Sequence, residues 1–549
     1  IKKDQDKWND ISDENAKREL EITRRELKEL RETIDYNKLD EPTKLSYRLY
    51  VERAEQDIEN FQYRLHNYPI NQMYGAQSRL PSFLINIHRI DNETDARGYI
   101  ARLNGIDEQI TQVIENLKLR ESKGIVAPKF VFPYAISDTK NVLSGKPFVS
   151  DALEDSALLA DFKKKVANIE IDTQLREELI TEASGALAES VKPAFGSLIE
   201  FLMEQEKRAN TDDGAWKLPD GEAFYAMALK RTTTTDMTAD EIHELGLSEV
   251  ARIHEEMRAI MEQVEFDGTL QEFFEFMRTD KQFYYDETPE GRAAYLAKAE
   301  DIIDTMRGRL DELFVTKPKA DLVVKAVEAF REKSAGKAFY QRPAPDGSRP
   351  GTYYANLYKM SDMPMYQMEA LAYHEGIPGH HMQLAIAQEL KDVPSFRKYG
   401  RYTAYTEGWG LYSELVPKEM GFYSDPYSDF GRLAMEIWRA CRLVVDTGIH
   451  HKKWTREQAI DYLSTNTPNP YGDVVKAIER YIVMPSQATA YKIGMIKIVE
   501  LRDKARAALG DDFDVREFHE VVLRSGPVPL SVLEDQVADY VARKSQERA

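Results

Sequence analysis

Apolar residues return at helical spacing along most of this chain. Between Ala16 and Ile34, the positions Leu20, Leu27 and Ile34 recur at sevens, with Ala16, Thr23 and Leu30 between them. So narrow a stripe predicts a helix packed against another helix, and the stretch from Leu45 to Leu65 supplies an antiparallel partner. Thr238-Ala239-Asp240-Glu241 and Thr455-Arg456-Glu457-Gln458 read as capping boxes that open two further helices. Strand signals are few and sit close together. They cover Ala320 to Val327, Ala338 to Gln341, and Gly351 to Leu357 after a turn region from Pro343 to Pro350. The pattern predicts a mainly α protein, a large helical body with a small β-sheet just before residue 374. Coarse boundaries are a helical N-terminal half, 1–315, and a catalytic half, 316–549, which can interleave into one cleft-forming body.

Composition narrows the picture. The 549 residues are 42% apolar and 31% charged, with a formal net charge of -20. That charge argues against nucleic-acid backbones and anionic membranes as partners. No apolar run approaches the ~20 residues that a membrane-spanning helix needs. The single cysteine, Cys441, excludes an internal disulfide and suits a reducing compartment, so a cytoplasmic location is expected. A cysteine-poor exported protein would look the same, and the sequence begins at Ile1, so a removed leader stays open. Monomer and homodimer are equally compatible with these numbers.

The candidate chemistry is concentrated between residues 374 and 451, which hold five of the ten histidines: His374, His380, His381, His450 and His451. His374-Glu375 places a metal ligand beside a general base, as zinc hydrolases do on one helical turn. The usual second histidine would fall at position 378, which is a proline. Pro378 has no N–H for the carbonyl of His374 and crowds it, so the turn must open there, with Gly376 and Gly379 on either side. An opened turn brings His380 to the second-ligand position. His381 is the rival: it shares a helical face with His374 but stands two turns up, about 10 Å along the axis. A third ligand is expected from a neighbouring helix, and Glu407, before the Gly408-Trp409-Gly410 stretch, fits. Glu414 shares its face and suits the role of orienting a ligand histidine. Two histidines and a carboxylate leave one position open for water, whose proton Glu375 would take. The same residues would also suit a Pro-Gly turn with a solvated Glu407.

Farther on, Arg442, Asp446 and His450 follow one another at helical steps of four. They would form either a buried Arg–Asp pair anchoring the helix, or a subsite in which Arg442 or Arg439 receives a substrate carboxylate and His450 nears the reacting carbonyl. Tyr491 suits an oxyanion donor, Gln487 and Tyr354 suit substrate contacts, and residues 351 to 357 suit an edge strand that pairs with substrate backbone.

Four segments together resemble a known family. They are the box from His374 to His381, the Glu407-Gly408-Trp409 segment, the helix from Val444 to His450, and Pro485-Ser486-Gln487-Ala488-Thr489-Ala490-Tyr491-Lys492-Ile493-Gly494. The family is the uncharacterised bacterial domain of unknown function number 885, grouped with zincin-type (gluzincin) metallopeptidases. The resemblance implies a helical zincin body, similar to oligopeptidases and carboxypeptidases that enclose a long cleft. It implies one zinc ion held by His374, His380 and Glu407, with Glu375 as base; Tyr491 is placed by analogy with cleft peptidases. Ser486 departs from the family box, where glycine is expected.

These readings converge on a zinc-dependent peptidase of short peptides, of carboxypeptidase or dipeptidase habit. In it Glu375, Tyr491 and His450 act on the reaction, and Arg442, Tyr354 and Gln487 hold substrate. Glu414, Asp446 and His381 would support the ligands. The competing classes are a hydrolase of non-peptide amides or esters, a catalytically inactive zinc-binding protein, and a non-haem iron oxygenase, which would leave Glu375 without a task.

Overall fold

A computed structural model describes residues 4–328, 332 and 335–547. The chain divides into two compact units. One contains residues up to Asp35, Val51–Asp213 and Lys217–Gly221; the other contains Tyr36–Tyr50, Gly214–Trp216 and the chain from Glu222 onward. The division falls near residues 213–222 rather than 315, because the helices after Glu222 cluster with the later half.

The first unit is helical and is built around an apolar core, with polar side chains such as Asn71, Gln77 and Asp95 also buried. Leu84, Tyr99, Leu103, Phe162, Leu179, Phe195 and Leu198 form one continuous cluster. Asn92 and Asp172 begin helices Glu93–Asn104 and Thr173–Ala186 by accepting backbone N–H groups that have no partner within the helix. The N-terminal helix, Asp13–Thr33, runs antiparallel to residues 51–64, with Arg31 paired to Glu55 and Arg64 to Asp13 at 2.7 Å.

The second unit carries the sheet and the candidate chemistry. Its elements include helices α1 (Ala239–Gln263) and α2 (Pro289–Arg307), then strands β1 (Leu322–Ala326), β2 (Ala338–Gln341) and β3 (Gly351–Ala355). Helices α3 (Met368–Glu375), α4 (His380–Glu389), α5 (Thr403–Glu419) and α6 (Pro426–His450) follow, then α7 (Tyr471–Val483), α8 (Ala490–Leu509) and α9 (Val515–Arg524). Both expected capping boxes are formed, at Thr238–Glu241 and Thr455–Gln458. The long helices α1 and α6 pack along each other, and α5 packs on α8. Where α5 crosses α8 the backbones touch: a Cβ on Gly408 would lie 2.5 Å from the Cα of Gly494.

The three strands appear where the sequence predicts them, in the order β1-β3-β2, with β3 parallel to β1 and antiparallel to β2. The expectation that residues 351 to 357 form an edge strand is therefore corrected. β3 is the central strand, its ladder groups are taken on both sides, and it cannot add a substrate strand. Tyr354 is likewise not a free substrate contact: it is buried and stacks on Phe339 at 4.9 Å. No described helix is long and apolar enough to cross a membrane.

Candidate metal centre

Helix α3 delivers His374 and Glu375 as its last residues and then stops. The turn at Pro378 is more than a widened helical turn. It is a complete break, with Ile377–Pro378 in the cis form and a new helix beginning at His380. No side chain fits at residue 379, where a Cβ would lie 2.0 Å from the carbonyl oxygen of His374. The break is gripped by α5, since Trp409 Nε1 and Ser413 Oγ both donate to the Pro378 carbonyl, at 2.9 and 3.3 Å. These two residues were not singled out by spacing, although Trp409 lies inside a quoted motif.

The break folds His380 back beside His374, their rings 4.7 Å apart and nearly perpendicular. Glu407 of α5 completes the group. Its Oε2 lies 3.9 Å from His374 Nε2 and 3.6 Å from His380 Nε2, and ligand atoms of all three lie within 4.8 Å of one another. Atoms about 2.1 Å from one tetrahedral zinc are roughly 3.4 Å apart, so the two separations from Glu407 exceed that spacing by only a few tenths of an ångström. Gly410, one turn beyond Glu407, leaves the room: a Cβ there would come within 2.8 Å of the His374 ring and 3.1 Å of the His380 ring. The donor set of two imidazoles and a carboxylate fits a catalytic zinc, and the residues present pass that test. The His374 side chain is 4% exposed, His380 11% and Glu407 23%, so the group opens to solvent on the Glu407 side.

Glu414 has the role its spacing suggested. Its Oε1 accepts from His374 Nδ1 at 2.7 Å, which fixes the tautomer and turns the Nε2 lone pair toward Glu407. Burial acts to raise the Glu407 carboxyl, but His380 and then His374 and Arg439 outweigh it and hold the group at about 2. Burial opposes a charge on His380, yet Glu407 and Glu375 raise it above its ordinary value. Glu375 is buried at the end of α3, with no hydrogen-bond donor among the described residues, and its charge reaches Tyr353.

Other expected site residues lie elsewhere or differ in role. His381 is not a support for the ligands. Its Nδ1 pairs with the Tyr340 hydroxyl at 2.9 Å and its Nε2 with the Ala320 carbonyl at 3.0 Å, so it ties α4 to the sheet. His450 has no nitrogen left for catalysis: Nδ1 accepts from Ala215 N at 2.9 Å and Nε2 donates to the Tyr481 carbonyl at 3.0 Å. Burial lowers both histidines to about 4, which keeps them neutral. Asp446 neither supports a ligand nor pairs with Arg442. Its Oδ1 accepts from Tyr225 at 2.6 Å and from the Ser486 N–H at 3.0 Å, and burial pushes it up to about 7. Ser486 stands in left-handed backbone, φ 72°, which accounts for the glycine expected there, and its hydroxyl bonds Thr232. Gln487 accepts from Arg480. Arg442 and Tyr491 do come together, the guanidinium 4.5 Å above the ring, and Glu407 is among the charges that Arg442 senses.

Comparison with known proteins places the chain in a family. The model of the bacterial protein of unknown function family DUF885 matches residues 1–537, and the chain belongs to that family. A solved structure from Colwellia psychrerythraea, described as a "putative lipoprotein", is 32% identical with a TM-score of 0.89, over 98% of this chain and 93% of that one. A second, a "putative lipoprotein of unknown function" from Shewanella oneidensis, shares the fold at 17% identity and a TM-score of 0.75, over 97% and 94% of the two chains. No curated protein matches the chain.

Proposed function

We propose that this member of DUF885 is a zinc-dependent hydrolase of peptide bonds, related in its site to the zincin peptidases. The observation that carries the reading is the convergence of His374, His380 and Glu407 on one point, with Glu375 adjacent and without a hydrogen-bond donor among the described residues. A bound divalent ion would supply Lewis acidity to water and to the scissile carbonyl. The chain supplies the rest. Glu375 takes the proton as the water oxygen bonds to the carbonyl carbon, and delivers it to the amine nitrogen as the C–N bond breaks. Glu414 keeps His374 in one tautomer throughout. Tyr491, whose hydroxyl has no partner among the described residues, is the candidate donor to the developing oxyanion. His450, saturated on both nitrogens, takes no part.

The experiment is a mass-spectrometric digest of a mixed peptide library by wild-type protein and by Glu375→Gln, both with zinc content measured. Cleavage by the wild type alone supports the proposal. Equal cleavage by both would remove Glu375 from the mechanism, and no cleavage by a zinc-loaded wild type would favour non-peptide amides or esters.

The description of the Colwellia relative as a "putative lipoprotein" favours an exported location over the cytoplasmic one. Fractionation of cells expressing the full gene tests this, and recovery in the cytosol alone would reject it.

A further inference from the structure

Two arginines beside the His374–His380–Glu407 group have buried donors and no ion-pair partner among the described residues. Arg439 and Arg442 project from α6 at a spacing of three, which puts both on one side of the helix. Arg442 is 7% exposed. Its Nε donates to the Tyr481 hydroxyl at 2.9 Å, and its guanidinium lies 4.5 Å over the Tyr491 ring and 5.7 Å over that of Tyr481. Arg439 stands over the same Tyr491 ring at 6.0 Å and donates from Nη1 to the Met435 carbonyl at 3.1 Å and to the Met435 sulfur at 3.4 Å. Arg442 Nη1 and Arg439 Nε are buried with no partner, and neither residue has an ion pair among the described residues.

Two like charges facing one ring and short of counter-ions are an unfavourable arrangement in isolation. The neighbouring carboxylates do not resolve it. Glu414 gives one oxygen to His374 and its charge favours Arg439, and Glu407 faces the two histidines, but neither carboxylate makes an ion pair with either arginine among the described residues. Lys337 is a further cation close enough for Arg439 to oppose its charge, with Asp473 and Asp362 acting on it more strongly in the other sense. In a chain of net charge -20, such a concentration of positive groups beside an acidic ligand is local and specific.

We propose that Arg439 and Arg442, stacked on Tyr491, receive the terminal carboxylate of a peptide whose scissile carbonyl lies at the His374–His380–Glu407 group. The protein would then be an exopeptidase working from the free C-terminus. A guanidinium fork matches a carboxylate, and the aromatic face holds the fork in place without consuming its donors. The inference rests on the hydrolase reading for its orientation, while the anion subsite stands on its own geometry.

Calorimetry on the full zinc-loaded chain carrying Glu375→Gln separates the two claims, because this host holds peptides without cutting them. The probes are an N-acetylated tripeptide and its C-terminal amide. The free acid is expected to bind at least about tenfold more tightly than the amide. That preference should fall to within about threefold when Arg442→Gln or Arg439→Gln is added. Arg442→Lys keeps the charge and loses the fork, and should retain an intermediate preference. Arg439 is the more exposed of the two and provides a variant less prone to misfold, with thermal unfolding as the check. Equal binding of acid and amide, failure of both to bind, or a preference that survives both glutamine variants would overturn the subsite. So would inorganic phosphate binding more tightly than the peptide acid. A clear acid preference in a wild type that cuts no peptide would uphold the subsite and reject the hydrolase reading. Cleavage at internal bonds, equal for acids and amides, would do the reverse.

Discussion

Two buried histidine regions of the second unit look alike in sequence and behave oppositely in structure. At the metal group, His374 gives one nitrogen to Glu414 and leaves the other facing Glu407, and His380 faces the same carboxylate. At the end of α6, His450 is equally buried but both its nitrogens are taken by backbone, at Ala215 and Tyr481. Carboxylates raise His380, whereas burial lowers His450 to about 4. Burial therefore does not separate a ligand from a packing residue. The separating feature is whether a lone pair is left, and whether an anion waits for it.

The sharpest break of this comparison is to exchange the roles. Glu375→Gln is expected to lower peptide hydrolysis by roughly 100- to 10,000-fold with zinc retained, as read by steady-state kinetics and elemental analysis. His380→Ala should remove zinc itself, whereas His450→Gln should keep a full equivalent and lose only stability, about 1–3 kcal/mol in denaturant unfolding. If His450→Gln also loses the metal, the two regions are not distinct.

Glu414→Gln should weaken zinc binding by roughly 10- to 100-fold in a chelator competition, since the support for His374 loses its charge. Gly410→Ala should act in the same direction, through contact of the new methyl with both ligand rings rather than through charge.

The smaller effects are in the pH dependence of stability. His381, His450 and His519 are each held near 4 by burial. The unfolded chain binds protons at about 6.5, so their contribution is complete above that pH and lost as pH falls toward 4. Asp446 runs the other way. With its carboxyl near 7 when folded and near 3.8 when unfolded, its contribution is complete below 3.8 and lost as pH rises through 7. Asp446→Asn should therefore gain stability relative to wild type between pH 5 and 8, on the order of a few kcal/mol. A flat difference between the two melting curves across that range would refute the assignment.

The grouping of His374, His380 and Glu407 was legible in the sequence because its signals are local. A histidine beside a glutamate, a proline where a ligand belongs, and a glutamate before two glycines can each be read within one helix. The three strands and both capping boxes were legible for the same reason. Apart from the helix break at Pro378, the main corrections concern partners distant along the chain. The backbone groups that occupy His450 come from Ala215 and Tyr481, and the hydroxyl that draws Asp446 away from Arg442 belongs to Tyr225. β3 read as an edge strand because spacing along a strand does not say which strands flank it. The division near residues 213–222 was not legible because helices Ala239–Gln263 and Pro289–Arg307 show the same periodicity whichever unit they join.

The hydrogen bonds from Trp409 and Ser413 to the Pro378 carbonyl bear on the order of assembly. That carbonyl lies between two helices, and both of its donors come from α5, which also brings Glu407, Gly410 and Glu414. The corner that turns His380 toward His374 is therefore held from outside, by a segment that enters the chain more than twenty residues later. A growing or half-folded chain that has made α3 and α4 but not docked α5 has histidines without a binding site. On the zinc reading proposed above, capture of the ion would follow tertiary docking, and the rate of zinc uptake during refolding would be a clock for the arrival of α5.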